Sequence, residues 1–123
     1  MKKRPKYLDL MKIRLPLPGF VSILHRASGL LLYLFIPLLL VALQCSLRSE
    51  QGFDSLAGFF ASPLAKLLLL GLSWAFFHHF CAGIRFLFLD IDRGVSLQAA
   101  RASSKAVLAA SLLLTLVAGV LIW

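Results

Sequence analysis

Cysteine is scarce in this sequence, which has two residues of this type, Cys45 and Cys81, in a chain of 123. Both lie in apolar segments, and their spacing fits neither a disulfide framework nor a metal-binding motif. Free cysteine is among the residue types most often buried. We therefore expect both side chains to act as small packing residues.

Polar surface is also in short supply, since hydrophobic residues make up 60% of the chain and the mean hydropathy is +0.90. A small soluble domain covers its modest core with polar side chains, and this chain has too few of them. The composition therefore excludes a soluble globular domain. Lipid or other apolar protein must surround most of the chain.

Acidic residues are few, with five Asp and Glu against 13 Lys and Arg, so the formal net charge is +8. A basic chain often binds nucleic acid. Here, however, the basic residues flank apolar runs instead of forming a soluble basic face, and such flanks set the orientation of helices in a membrane. We predict a lipid bilayer as the partner and no nucleic acid.

Long apolar runs predict transmembrane helices. No charged residue lies between Arg26 and Arg48, and a spanning helix needs about 20 apolar residues to cross ~30 Å of hydrocarbon. Pro37 lies inside this run and predicts a kink, whereas Pro63 suits the first turn of a second helix. The expected fold class is all-α, an integral membrane protein with helices at 22–47, 63–89 and 103–123.

The segment before the first span is polar and basic. Residues 1–21 are expected to form a surface arm, and residues 22–123 form the transmembrane domain. A long helix in the arm is disfavoured by three prolines: Pro5, Pro16 and Pro18.

Two connections separate the predicted spans. Residues 48–62 are expected to form a loop with a short interfacial helix near 53–60. Residues 90–102 form the second connection, with Gly94 as a natural helix stop.

Basic residues are distributed unevenly about the spans. The arm and the second connection carry most of them, whereas the first connection holds only Arg48 and is net acidic. The positive-inside rule then predicts a cytoplasmic N-terminus and a periplasmic C-terminus, with Trp123 at headgroup level. The N-terminus resembles neither a cleavable signal nor an organelle import leader, which favours the bacterial inner membrane.

Polar residues occur together at the inner end of the first span. Ser22 and Arg26 are four residues apart and share a helix face with Gly29. A hydroxyl and a guanidinium on one face can bind a quinone carbonyl, a haem propionate or a phospholipid phosphate. The alternative is a helix cap beside an arginine that extends its charge to the membrane surface.

Two adjacent histidines, His78 and His79, lie inside the second predicted span. Adjacent helical residues point about 100° apart, so the two cannot serve one site. Such a position suits an axial ligand of haem iron if the surrounding face is small enough for a flat macrocycle, but small faces also permit close helix packing. His78 points toward Trp74 and Arg85, where a structural role is expected. Three small residues surround His79 at helical spacing: Ala75, Ala82 and Gly83.

Three runs occur in order along the chain: RPKYLDLMKIRLP, SILHRASG and HFCAGIRFLFLD. They contain Ser-x-x-His-Arg-x-Ser from Ser22 to Ser28, then His-x-x-x-Gly-x-Arg, an apolar stretch and Asp from His79 to Asp90. With these motifs the chain resembles the cytochrome b556 subunits of bacterial succinate dehydrogenase, the larger membrane anchor of complex II. The resemblance covers nearly the whole chain.

This resemblance implies a b-type haem with His79 as an axial ligand of the iron and with His25 and Arg26 near the propionates. It implies that a second small anchor gives the other ligand, so that the three spans form part of a shared bundle. Ser22 and Arg26 would line a ubiquinone site near the cytoplasmic face. His78 precedes the implied ligand, so a one-residue slip would use it instead.

Asp90 and Arg85 lie at the inner end of the second span. A solvated helix end is the simplest interpretation, and an internal ion pair or a proton-uptake group is the alternative. By the resemblance, Asp90 would lie near the inner surface and aid proton delivery.

The resemblance also implies the partners. A flavoprotein subunit would oxidise succinate, and an iron–sulfur subunit would carry the electrons to ubiquinone. No flavin, iron–sulfur or succinate-binding motif occurs in this chain, so alone it is expected to have no dehydrogenase activity. A haem-free anchor and an anchor of a quinol:fumarate reductase are alternatives. A proton-relaying transporter ranks last, because the third helix offers only Ser111 and Thr115 as interior polar groups.

Overall fold

The computed structural model describes residues 15–123, and this part of the chain folds into four α-helices. They are α1 (Leu17–Arg48), α2 (Glu50–Ala61), α3 (Pro63–Asp90) and α4 (Leu97–Ile122). Helices α1, α3 and α4 are long and apolar enough to cross a membrane, which confirms the predicted all-α class with three spans. The expectations about the arm before Leu15 lie outside the described residues.

Helix α1 begins earlier than predicted. It starts at Leu17, with Pro16 as the N-cap residue and Pro18 in the first turn, whereas the predicted start was residue 22. A proline in the first turn costs no hydrogen bond, because the first amide groups of a helix have no partner within it. Pro37 lies inside the helix, which runs on to Arg48 without interruption.

The first connection contains the expected short helix. Helix α2 covers Glu50–Ala61 and is therefore longer than the predicted 53–60. None of its residues is buried. Ser49 caps it by accepting a 3.0 Å hydrogen bond from the amide of Gly52. Gly52 packs directly on the Cys45 carbonyl, where a side chain would collide. Cys45 itself is exposed, so its predicted packing role is wrong.

The second connection is shorter than predicted. Helix α4 starts at Leu97, whereas the predicted connection extended to residue 102. Ser96 caps the helix by accepting a hydrogen bond from the amide of Ala99, and the residues that follow are good helix formers. The chain reverses through left-handed conformations at Asp92 and Gly94.

The three long helices pack as an antiparallel bundle, in which α3 contacts both α1 and α4, and α1 also contacts α4. We call the end at which α1 and α4 begin and α3 ends the basic end, because five cations lie there: Arg26, Arg85, Arg93, Arg101 and Lys105. Helix α2 lies at the opposite end. There, Nζ of Lys66 approaches the Trp123 carbonyl at 3.4 Å and lies 5.3 Å from the centroid of its ring.

The buried face of each helix is narrow. On α3 the buried stripe consists of Ala75, His78, Ala82 and Arg85. On α4 it consists of Ser104, Val107, Ser111 and Thr115. Few other described residues are buried. The hydroxyls of the α4 stripe donate to carbonyls of their own helix, which lets small polar residues line a close contact between helices. Most of the large apolar side chains face outward, as lipid or a further apolar subunit requires.

Candidate functional site

Two histidines from different helices stack against each other toward the basic end. The rings of His25 on α1 and His79 on α3 have centroids 4.2 Å apart and planes 3° from parallel. Phe86 covers His25 at a ring distance of 5.0 Å and a tilt of 58°. The resemblance implied that His25 lies near the haem propionates, and its contact with His79 follows from the antiparallel packing of α1 on α3.

The Nδ1 atom of His79 is held by helix α1. It lies 3.0 Å from the carbonyl oxygen of His25 and 3.4 Å from Oγ of Ser28. A carbonyl oxygen can only accept, so the 3.0 Å contact is a hydrogen bond only if Nδ1 carries the proton. In a neutral ring Nε2 then keeps a free lone pair. Within residues 15–123, no hydrogen bond is made to Nε2 of His79.

The His79 ring lies unusually close to the backbone of α1 at Gly29. A Cβ atom added at Gly29 would lie 2.7 Å from Cε1 of His79 and 3.1 Å from its Nδ1. Gly29 was recognised in the sequence only as a neighbour of Ser22 and Arg26 on one face. Its contact with His79 depends on the register of α1 against α3, which the local pattern does not contain.

His78 is completely buried, and neither of its ring nitrogens has a hydrogen-bond partner among the described residues. Its ring stacks on Trp74 with centroids 5.4 Å apart, as the helix geometry predicted. An external group would reach His78 only if the helices separated. His79 is half-buried at the edge of the same helix, so it is the more accessible of the two.

The small residues beside His79 serve helix packing. Ala75 and Ala82 are fully buried, and Ala82 forms the core cluster with Val21 and Val107. These positions therefore do not leave an open face for a planar ligand on this side of α3. Of the three small residues named from the sequence, Gly83 lies next to the histidine pair, because its Cβ position is 3.7 Å from Nε2 of His25.

Ser22 and Arg26 lie on α1 near the basic end. Ser22 is half-buried and Arg26 is exposed. In the part of the chain that the structure describes, neither side chain is engaged in a hydrogen bond or an ion pair. The Ser22 hydroxyl and the Arg26 guanidinium therefore take no part in holding α1, α3 and α4 together.

Arg85 and Asp90 do not pair with each other in the described part of the chain. Arg85 is 7% exposed, and its Nε donates a 2.9 Å hydrogen bond to Oγ of Ser103 on α4. Its guanidinium carbon also lies 5.5 Å from the centroid of the Phe86 ring. Asp90 is exposed at the last residue of α3.

No group of three or more His, Cys, Asp or Glu residues among positions 15–123 is arranged to hold a metal ion. The His, Cys, Asp and Glu side chains at these positions therefore do not supply a complete set of ligands for a metal ion. A single accessible imidazole nitrogen instead fits a metal whose other ligands come with it, as in a macrocycle.

Comparison with known proteins identifies the family. A sequence model described as the succinate dehydrogenase/fumarate reductase transmembrane subunit matches residues 1–118. The chain belongs to this family. Membership in the succinate dehydrogenase/fumarate reductase transmembrane subunit family agrees with the three apolar spanning helices.

Individual relatives from this family align along almost the whole chain. The succinate dehydrogenase cytochrome b556 subunit of Rickettsia felis is 33% identical over 114 residues, which are 93% of this chain and 89% of the relative. The protein of the same name from Coxiella burnetii is 34% identical over 122 residues, 98% of each chain. The one from Paracoccus denitrificans is 34% identical over 111 residues, 90% of this chain and 85% of the relative.

Proposed function

We propose that this chain is the membrane-anchor subunit of a succinate:ubiquinone oxidoreductase, that it ligates a b-type haem through Nε2 of His79, and that it forms part of the ubiquinone site. The observation that carries the proposal is the hydrogen bond from Nδ1 of His79 to the His25 carbonyl. It leaves Nε2 as the free donor atom, and a histidine ligand of a metal usually donates its other ring N–H in this way.

The free Nε2 atom of His79 is a donor atom that could hold the iron of such a haem. Haem, when bound, supplies one-electron redox chemistry. His79 would hold the iron from α3, and α1 fixes the orientation of its ring. Arg26 is exposed and His25, one position before it, is half-buried; both would lie near the propionates. Family membership supports this assignment, because the relatives bear the name cytochrome b556 subunit.

Neither of the other two histidines is placed to hold the haem together with His79. The rings of His25 and His79 are stacked face to face. His78 is buried inside the bundle. We therefore propose a second small anchor subunit, whose histidine completes the site and whose helices cover part of the outward apolar surface.

Ser22 and Arg26 would bind the head of ubiquinone. Negative charge develops on a quinone oxygen during reduction, and preorganised donors such as a hydroxyl and a guanidinium stabilise it. Within residues 15–123 these two donors have no competing partner. They lie on the same helix as His25, so the quinone and the haem would approach the bundle from one end.

The basic end would face the cytoplasm of a bacterium, with the N-terminus on that side and the C-terminus in the periplasm. The concentration of cations there supports this orientation. An iron–sulfur subunit and a flavoprotein subunit would dock at this end and deliver electrons from succinate. The positive charge favours such docking and also attracts anionic lipid.

A spectrum of the purified complex tests the proposal. The reduced-minus-oxidised difference spectrum of the parent complex is expected to contain a b-type signal. His79→Ala should abolish this signal, and His78→Ala should retain it, which makes the two adjacent histidines matched controls. A full signal in His79→Ala would contradict the assigned ligand, and a haem-free parent with full quinone activity would establish a purely structural anchor.

A further inference from the structure

Three groups within residues 25–29 make the surface of α1 that receives His79: the His25 carbonyl, the Ser28 hydroxyl and the bare backbone at Gly29. We call this surface the α1 notch. Ser28 is buried, at 3% exposure, and its hydroxyl donates to the His25 carbonyl at 3.0 Å. The notch therefore touches the His79 ring at its edge and at one nitrogen.

We propose that Ser28 and Gly29 are positioning residues of the haem site, Gly29 by admitting the His79 ring to the α1 notch and Ser28 by sharing the Nδ1 proton of that ring. The proposal rests on the ligation of haem by His79 proposed above. It adds that α1, a helix that contributes no iron ligand, determines how strongly His79 donates to the iron.

Gly29 acts by the space it leaves. A Cβ atom there would lie 2.7 Å from Cε1 of His79, a distance that real side chains do not adopt, so the ring would have to move. Moving the ring away from α1 lengthens the 3.0 Å bond between Nδ1 and the His25 carbonyl. The same movement displaces Nε2, because the imidazole is rigid.

Ser28 acts on the proton. Its hydroxyl hydrogen points to the His25 carbonyl, so its oxygen lone pairs are available to the Nδ1 proton at 3.4 Å. Nδ1–H therefore lies between two acceptors. Acceptors at this position raise the basicity of a metal-bound imidazole, which favours the ferric form of a haem. Loss of one acceptor should shift the midpoint potential to higher values.

A purely structural role would give a different result. Alanine is a better helix former than glycine, so Gly29→Ala in the middle of α1 should be neutral or stabilising if nothing but helix stability is involved. Gly71 on α3 supplies the matched control, because a Cβ atom added there meets nothing within 4 Å. Both substitutions add the same methyl group to a membrane-spanning helix.

The experiment compares the purified four-subunit complexes of the parent, Gly29→Ala, Gly71→Ala, Ser28→Ala and Ser28→Thr. The readouts are the ratio of haem to flavin and the midpoint potential of the haem. Loss of a supporting contact to a metal ligand costs about 10- to 100-fold in affinity. Gly29→Ala is therefore expected to lose haem on washing, and Gly71→Ala is expected to match the parent. Ser28→Ala is expected to raise the midpoint potential, and Ser28→Thr, which keeps the hydroxyl, should restore it.

The two levels of the proposal fail in different ways. A parent complex without haem would overturn the proposed function itself. A parent complex with haem, together with parental haem content and potential in both Gly29→Ala and Ser28→Ala, would overturn the role of the α1 notch alone. If Gly29→Ala does not assemble, the Ser28 pair decides, since equal potentials in Ser28→Ala, Ser28→Thr and the parent would count against the notch.

Discussion

Arg85 donates a 2.9 Å hydrogen bond from its Nε to Oγ of Ser103, and this contact joins the end of α3 to the second turn of α4. Arg85 is nearly buried, and no acidic residue pairs with it among residues 15–123. A cation at such a site needs its partners, because an isolated charge at membrane depth is expensive. The bond is therefore a stabilising link between two helices whose other contacts are mainly between small side chains.

Ser103→Ala should destabilise the bundle. Hydrogen bonds between membrane helices contribute about 0.6 kcal/mol on average and up to about 1.7 kcal/mol, and the charged donor places this one toward the upper value. The free energy of unfolding in mixed detergent micelles measures the effect. Ser73→Ala is the control, because the Ser73 hydroxyl bonds only to its own helix at Leu69. Equal effects of both substitutions would show that the link between helices contributes nothing.

His78→Leu should leave stability unchanged or increase it. The side chain of His78 is completely buried with both nitrogens unpartnered, and a buried polar group without a partner costs about 1–3 kcal/mol. Leucine removes both polar atoms while filling much of the same space. Thermal unfolding of the complex is the measurement, with the haem spectrum as a check on the site. A loss of stability above about 1 kcal/mol would mean that His78 binds a partner, such as an ordered water, inside the bundle.

Ser22→Ala and Arg26→Leu should impair ubiquinone reduction selectively. Removing one preorganised donor from a developing oxyanion typically lowers the rate by about 10²- to 10³-fold. Oxidation of succinate with a soluble artificial acceptor should continue at the parental rate, because it bypasses the quinone. Arg48→Leu, at the opposite end of α1, controls for the loss of a charge. A parallel fall of both activities in the Ser22 and Arg26 variants would point to a defect in assembly.

Ala82→Leu should disrupt the bundle near the haem site. Ala82 is fully buried against Val21 and Val107, where α1, α3 and α4 meet, and overpacking a filled site costs about 1–3 kcal/mol. Both the thermal stability and the haem content should fall. Ala109→Leu adds the same volume on an exposed position of α4 and should change neither. Normal stability in Ala82→Leu would show that the three helices separate easily at this level.

The spans could be predicted from the sequence because their cause is local. Any helix that crosses a bilayer needs a long apolar run, and the apolar runs around Pro37 and after Pro63 are recognisable in the sequence itself. The helix starts were predicted less well, for a physical reason. Pro18 fell in the predicted arm and Ser96 in the predicted second connection, but a proline in the first turn and a serine at the N-cap are compatible with a helix that starts there.

The candidate site could be predicted only in part. His79 was identified because a polar residue at membrane depth is unusual. The contacts of Ser28 and Gly29 with His79 could not be predicted, because they depend on the register of α1 against α3. For Ala75 and Ala82 the sequence left two interpretations open, a face for a macrocycle and a close contact between helices, and the burial of both side chains favours the close contact.

Helices α3 and α4 are joined at both ends, by Arg85 with Ser103 at the basic end and by Lys66 with Trp123 at the opposite end. Mainly small side chains of the two helices are buried between these contacts. Inserting one residue into either helix would shift everything beyond it by about 1.5 Å and rotate it by about 100°, so one of the two contacts would be lost. The two contacts together therefore fix the register of α3 against α4. We expect substitutions on the lipid-facing sides of these helices to be tolerated, and an insertion or deletion between the two contacts to be disruptive.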